Sequence, residues 1–193
     1  MRASINLTYS ACLAGALMLM VLPLKWFLSA FLAGAFHELC HIIAIYVMGG
    51  QVYSLTISSG GAEIETNPLS PIKELLCALA GPLGSVSLLL FCHVMPRVAL
   101  CAGVQAVFNL FPLFPLDGGR ILRCLTQLLL PRKWANALCT LLEKIAVSGI
   151  LILSLAAFLW YDLGMLPVLF TVFLLLKLRR RKIPCKAANL RVQ

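Results

Sequence analysis

Long runs of apolar residues occupy most of this 193-residue chain, in which hydrophobic residues make up 61% and charged residues 12%. A soluble domain is about half apolar and a quarter charged, and a core of this size could not bury the surplus. We therefore expect an integral membrane protein. Six runs have about the length of a spanning helix, over residues 5–24, 26–48, 71–95, 98–116, 137–160 and 163–178.

The fold class that these runs predict is an all-α polytopic membrane protein with about six transmembrane helices. If both termini face the cytoplasm, the outer loops hold only Lys25 and Arg97. The inner segments then hold Arg2, Lys73, Arg120, Arg123, Arg132, Lys133 and the basic residues from Lys177 to Arg191. This distribution obeys the positive-inside rule. The basic tail over residues 179–193 is interpreted as binding anionic lipid headgroups of the bilayer, so the net charge of +9 does not predict a nucleic-acid partner.

Two segments between the runs have their own patterns. After the second run, Tyr53, Leu55 and Ile57 alternate with polar residues, which predicts a small β-hairpin with its turn in the Ser-Ser-Gly-Gly sequence at 58–61. Residues 120–133 combine basic and apolar side chains in an amphipathic pattern. We expect this second segment to lie at the cytoplasmic surface.

The second run contains the sequence His37-Glu38-Leu39-Cys40-His41, an H-E-x-x-H motif. On a helix, histidines four residues apart lie on one face, where both imidazoles can bind one metal ion. Ionisable residues inside a membrane helix are costly and usually functional. A structural alternative stays open, in which the three side chains form a hydrogen-bonded cluster that holds helices together.

A catalytic zinc site usually has a third protein ligand, and Asp117 is the candidate. It follows the sequence Asn109-Leu-Phe-Pro112-Leu-Phe-Pro115-Leu, whose prolines end the fourth helix early. The helix over residues 98–111 would then be about 21 Å long, shorter than the bilayer core of about 30 Å. Asp117 can therefore lie inside the membrane, where irregular backbone is tolerated if it lines a watery cavity.

The H-E-x-x-H helix and the distant N-x-x-P-x-x-P-L-D-G motif resemble the site-2 protease family of intramembrane zinc metalloproteases. The resemblance implies one zinc ion per chain, with His37, His41 and Asp117 as ligands and Glu38 as the catalytic base. Asn109, Pro112 and Pro115 would belong to the substrate groove. One metalloprotease domain would then cover residues 1–193, with a core at 26–120, accessory helices within 1–25 and 134–178, and the basic tail.

The sequence Ala80-Gly81-Pro82-Leu83-Gly84-Ser85 is similar to the family's third-helix motif, in which many members have Asn at the position of Ser85. The six-span plan looks most like the stage IV sporulation protein FB branch, which releases a membrane-associated pro-sigma factor. By this likeness the protein would be an endopeptidase of a bacterial cell membrane. It would cleave a membrane-associated protein near the cytoplasmic face, in company with a regulatory membrane partner.

Several alternatives stay open at this point. The strand over residues 51–58, with Leu55 at its centre, could pair with an unwound substrate or seal the cavity. A membrane protease that trims prenylated C-termini would need a glutamate ligand, for which Glu143 is the candidate. The chain could also be a metal-binding scaffold or transporter without catalytic activity, although such a protein would not need Glu38 beside His37.

Overall fold

A computed structural model of the chain describes residues 4–58, 61–113 and 116–161. Residues up to Leu142 form one compact unit, and the chain from Glu143 onward belongs to a second. The elements, in chain order, are β1 (Ser4–Leu7), α1 (Tyr9–Val21), α2 (Leu24–Val47), β2 (Val52–Ser58), β3 (Gly61–Thr66), α3 (Pro71–Ser87), a 3₁₀ turn (Leu88–Phe91), α4 (Pro96–Asn109), α5 (Asp117–Leu129) and α6 (Arg132–Tyr161).

Three of the described helical segments are long and apolar enough to cross a membrane: Leu24–Val47, Pro71–Phe91 and Lys133–Ser154. This confirms a mostly helical protein with candidate membrane-spanning segments. Helix α4 has 14 residues and is about 21 Å long, as the prolines after it predict. The sixth predicted span and the basic tail lie outside the described residues, so six spans remain a prediction.

The first predicted span is not one continuous helix. Ile5 and Leu7 alternate with Ser4 and Asn6, and these four residues form strand β1. The backbone N–H and the hydroxyl of Thr8 then both donate hydrogen bonds to the carbonyl of Ile57, at 3.0 and 2.9 Å. Helix α1 therefore keeps only 13 residues, about 20 Å at 1.5 Å per residue.

The three strands form one small sheet in the order β1-β2-β3. Strand β1 pairs with β2 in parallel, with Ile5 opposite Leu55, and β3 pairs with β2 antiparallel, with Ile64 opposite Leu55. The predicted β-hairpin is confirmed as β2 and β3, whereas the third strand was not predicted. Alternation along the strands gives the sheet an apolar face and a polar face, and the second includes Ser54 bonded to Glu65.

Helices α2, α3 and α4 pack closely because small residues lie between them. Ala33, Val98 and Ala102 form a buried cluster between α2 and α4. Between α2 and α3, a methyl group on Gly84 would overlap the side chain of Cys40. The close approach of these helices brings polar groups of α3 within hydrogen-bond reach of α2.

Helix α5 begins at Asp117, directly after the irregular segment that ends α4. Gly118 packs against the backbone of this segment, where a methyl group would overlap the carbonyl oxygens of Leu110 and Phe111. Backbone atoms cannot move aside as a flexible side chain can, so only glycine fits. The helix buries Cys124 and exposes Leu128 and Leu129, in agreement with the amphipathic pattern predicted for this segment.

Candidate metal centre

Three buried side chains meet at one point between α2 and the start of α5. His37 and His41 lie one turn apart on α2, with 0% and 4% of their surface exposed, and Asp117 is 7% exposed. The Nε2 atoms of the two histidines are 3.2 Å apart. Oδ2 of Asp117 lies 2.9 Å from Nε2 of His37 and 3.2 Å from Nε2 of His41. Ligands about 2.0 Å from one tetrahedral zinc ion are about 3.3 Å apart, which these distances approach.

Helix α3 orients both imidazole rings from the side opposite the converging atoms. Nδ1 of His41 donates a hydrogen bond to the carbonyl of Cys77, at 2.7 Å. Nδ1 of His37 lies 2.8 Å from the hydroxyl of Ser85. Metal-binding histidines usually hydrogen-bond through their second ring nitrogen, which fixes the tautomer and the ring orientation.

These hydrogen bonds bear on the alternative of a cluster that only holds helices together. In a neutral His41 ring with its proton on Nδ1, the Nε2 atom carries a lone pair, as does the carboxylate of Asp117. Both point at the same place, and a proton or a metal ion must lie between them to prevent repulsion. The donor set of two imidazoles and one carboxylate suits zinc and other divalent transition metals.

Gly81 on α3 provides the space that such an ion needs. A methyl group at this position would overlap Nε2 of His41 and lie 2.8 Å from Nε2 of His37. Because glycine has no side chain, the space beside Gly81 stays free, and the Nε2 atoms of both histidines face this space. The residues present therefore fit a metal ion, and the cradle depends on a glycine.

A cavity of about 80 Å³ opens onto the three converging atoms. A water molecule needs only about 10–15 Å³ measured this way, so the cavity has room beyond one water. Its charged lining consists of Glu38, Asp117 and Arg120. Asn109, at the end of α4, also lines it, with its Nδ2 atom 3.0 Å from Nε2 of His37.

The architecture has a counterpart among solved structures. This chain is similar to a site-2 protease from Methanocaldococcus jannaschii, with a TM-score of 0.63 and 22% sequence identity. The similarity covers 91% of this chain and 89% of that one. The fold is that of a site-2 protease. No model of a known protein family matches the chain, and no curated protein matches it.

The site-2 protease fold brings most of the predicted site residues together. His37, His41 and Asp117 converge, and Glu38 and Asn109 line the same cavity. Pro112 is half-buried in the segment between α4 and α5 and is not among the described cavity residues. Pro115 lies outside the described residues. The narrower likeness to the sporulation branch finds no support in these comparisons.

The structure corrects the interpretation of the strand that contains Leu55. Strand β2 is the central strand of the sheet, and its neighbours β1 and β3 already occupy both edges. Its backbone is therefore not available to a substrate. Among the described strands, β3 has an unpaired edge, and Gly61, Ala62 and Ile64 of β3 line the metal cavity, whereas Leu55 does not.

Arg120 is a cavity residue that the sequence analysis did not single out. Its position three residues after Asp117 on a helix was the available signal, because residues at this spacing lie on one helix face. The amphipathic pattern of residues 120–133 instead assigned Arg120 to a basic surface. In the structure Arg120 is half-buried and lines the cavity with Glu38.

Proposed function

We propose that this protein is an intramembrane zinc metalloendopeptidase that cleaves a membrane-associated protein near the cytoplasmic face. The observation that carries the proposal is the convergence of His37, His41 and Asp117 beside Glu38 in one cavity. The site-2 protease fold supports it. Asp117 supplies the third ligand from the start of α5, so the proposed site needs no glutamate from a later helix.

His37, His41 and Asp117 would hold one zinc ion. When bound, zinc supplies Lewis acidity toward the scissile carbonyl and toward a water molecule. Glu38 is the carboxylate of the cavity outside the ligand set, and it would take a proton from the attacking water and pass it to the leaving amine. Asn109 would donate a hydrogen bond from its side-chain amide to the bound substrate backbone.

The substrate must present an extended backbone to this site, because a helix hides its peptide groups in internal hydrogen bonds. We propose that strand β3 receives the unwound segment by strand addition. Its outer edge is unpaired among the described strands, and Ala62 and Ile64 already line the cavity. Strand β2 then has the supporting role of holding β3 in place.

The surroundings of the enzyme follow from the same proposal. The protein would be a multi-pass protein of a cell membrane, and its substrate would reach it from within the lipid bilayer. The distribution of basic residues favours cytoplasmic termini. A second membrane protein would regulate access to the cavity, since an unregulated protease in the bilayer would endanger other membrane proteins.

The proposal is tested first by metal content. We expect about one zinc ion per chain in the detergent-purified protein, a large loss of zinc in His37→Ala and Asp117→Ala, and retention in Glu38→Gln. An intact fold without stoichiometric metal in the parent protein would contradict the proposal.

Proteolysis is tested by comparing the membrane proteins of cells that express the parent or Glu38→Gln. A substrate should accumulate at full length only with the variant, because zinc remains while the base is missing. Bound zinc without any such difference would instead indicate a scaffold or a transporter.

A further inference from the structure

Arg120 brings a permanent positive charge to the lining of the proposed active-site cavity. Arg120 lies in the first turn of α5, half-buried, and lines the cavity with Glu38 and Asp117. The N-terminus of a helix already carries partial positive charge, so a cation is electrostatically disfavoured there. Local helix stability therefore does not explain an arginine at this position. Residues that are unfavourable for the local structure occur most often at functional sites.

Arg120 also forms no close ion pair in the described part of the chain, although its charge acts on the carboxylate of Glu38 from a longer distance. The ion pairs found there both join Asp117 to a histidine. Among residues 4–58, 61–113 and 116–161, no hydrogen bond from the Arg120 side chain is observed either. A guanidinium carries five donors arranged in a planar fork, and these donors have no acceptor among the described residues, although Arg120 lines the cavity.

The charge balance of the cavity changes sign when the metal binds. With neutral imidazoles, the two carboxylates of Glu38 and Asp117 and the one guanidinium of Arg120 leave a net charge of −1. A divalent ion brings the total to +1. A loaded cavity would therefore attract an anionic group, and the unpaired fork of Arg120 gives that group a defined position.

We propose that Arg120 binds a carboxylate of the substrate next to the scissile bond. Guanidinium and carboxylate match in a bidentate pair, and such charge-assisted hydrogen bonds are among the strong ones. The inference rests on the proposed protease function and deepens it. The substrate class becomes a membrane-associated protein with an acidic side chain beside the cleaved bond.

Spectroscopy of the cobalt-substituted protein tests this without measuring turnover. The probes are three thiols of similar size: mercaptoacetyl-glutamic acid α-amide, mercaptoacetyl-glutamine α-amide and mercaptoacetyl-glutamine free acid. The thiolate anchors each probe on cobalt and produces a charge-transfer band that reports binding. The first probe has a side-chain carboxylate, the second has none, and the third has a terminal carboxylate.

We expect the first probe, with its side-chain carboxylate, to bind the parent protein about tenfold more tightly than the neutral probe. Preference for the third probe alone would identify a chain end as the partner and would contradict the inference together with the endopeptidase activity. The preference for the first probe should disappear in Arg120→Gln and persist in part in Arg120→Lys. Arg123→Gln is the matched control, because Arg123 lies one turn further along α5 and is not among the cavity residues.

Equal binding of all three probes to the parent, or an undiminished preference in Arg120→Gln, would overturn the inference. In either case a normal thiolate band would leave the proposed metal site intact. Failure of the protein to bind cobalt, or bound cobalt that no thiol reaches, would instead overturn the protease proposal together with this one.

Discussion

Nδ1 of His37 on α2 lies 2.8 Å from the hydroxyl oxygen of Ser85 on α3. Both residues are fully buried, so bulk solvent does not compete for this contact on the side of the ring that faces α3. The short hydroxyl reaches the ring, because the glycines of α3 let the two helices approach closely.

Ser85→Ala should weaken zinc binding by about tenfold, the lower end of the range for partners of metal-bound histidines. The change removes the hydrogen bond to His37 and leaves the three ligands in place. Zinc affinity measured by competition with a chelator checks it. Ser87→Ala is the control, because the exposed Ser87 hydroxyl bonds to the carbonyl of Gly84 on its own helix. Equal zinc affinities of the two variants would argue against an orienting role for Ser85.

Gly81→Ala should abolish stoichiometric zinc binding while the protein remains folded. The added methyl group would occupy the space that the Nε2 atoms of His37 and His41 face. Alanine is the better helix former by about 1 kcal/mol, so weakening of α3 would not account for the loss. Metal analysis of the purified variant is the measurement.

Gly34→Ala is the matched control for this experiment. Gly34 lies one turn before His37 on α2, and a methyl group there would make only an ordinary contact with the Gln105 amide, at 3.6 Å. This variant should keep its zinc. Full zinc occupancy in Gly81→Ala would show that zinc binds at a different place in the protein.

More of the site's chemistry than of the protein's fold could be predicted from the sequence. Histidines at helical spacing and an aspartate after two prolines are local patterns, and the structure brings these three residues together. The pairing of β1 with β2 could not be predicted, because it joins residues about 50 positions apart and Ile5 continues smoothly into an apolar run. Which edge of the hairpin stays open depends on that distant strand, so the sequence alone could not exclude that the strand of Leu55 pairs with a substrate.

Arg120 shows a second limit of reasoning from sequence. The amphipathic pattern of residues 120–133 correctly predicts a surface helix, and a basic residue at its start is consistent with lipid headgroups. Only the three-dimensional position of α5, set by the contact of Gly118 with the preceding backbone, reveals that Arg120 lines the cavity.

Ile64→Pro should reduce substrate cleavage and leave bound zinc unchanged, because proline removes a backbone N–H and distorts a strand. Ile64 lies on β3 and lines the cavity. The measurement is cleavage of a substrate identified with Glu38→Gln, together with metal analysis. Thr66→Pro, at the end of the same strand and not among the cavity residues, should have a smaller effect. Strand addition on β3 would be abandoned if Ile64→Pro cleaved normally.

Cys124 should resist alkylation at pH 8 in the folded protein. Its side chain lies on the buried face of the surface helix α5 and is 1% exposed. Burial, followed by the negative charge of Glu74, raises the pKa of the Cys124 thiol to about 11. Since the thiolate is the reactive form, only about one molecule in a thousand would carry it at pH 8.

Exposed Cys92, in the connection before α4, provides an internal comparison. Treatment with N-ethylmaleimide and peptide mapping by mass spectrometry should find Cys92 modified and Cys124 intact. Both should react in denaturing detergent, where burial no longer raises the pKa of Cys124. In the structure α5 packs on α3. Modification of Cys124 at the rate of Cys92 in the folded protein would contradict this packing, and Asp117 would then lose the support that holds it at the metal centre.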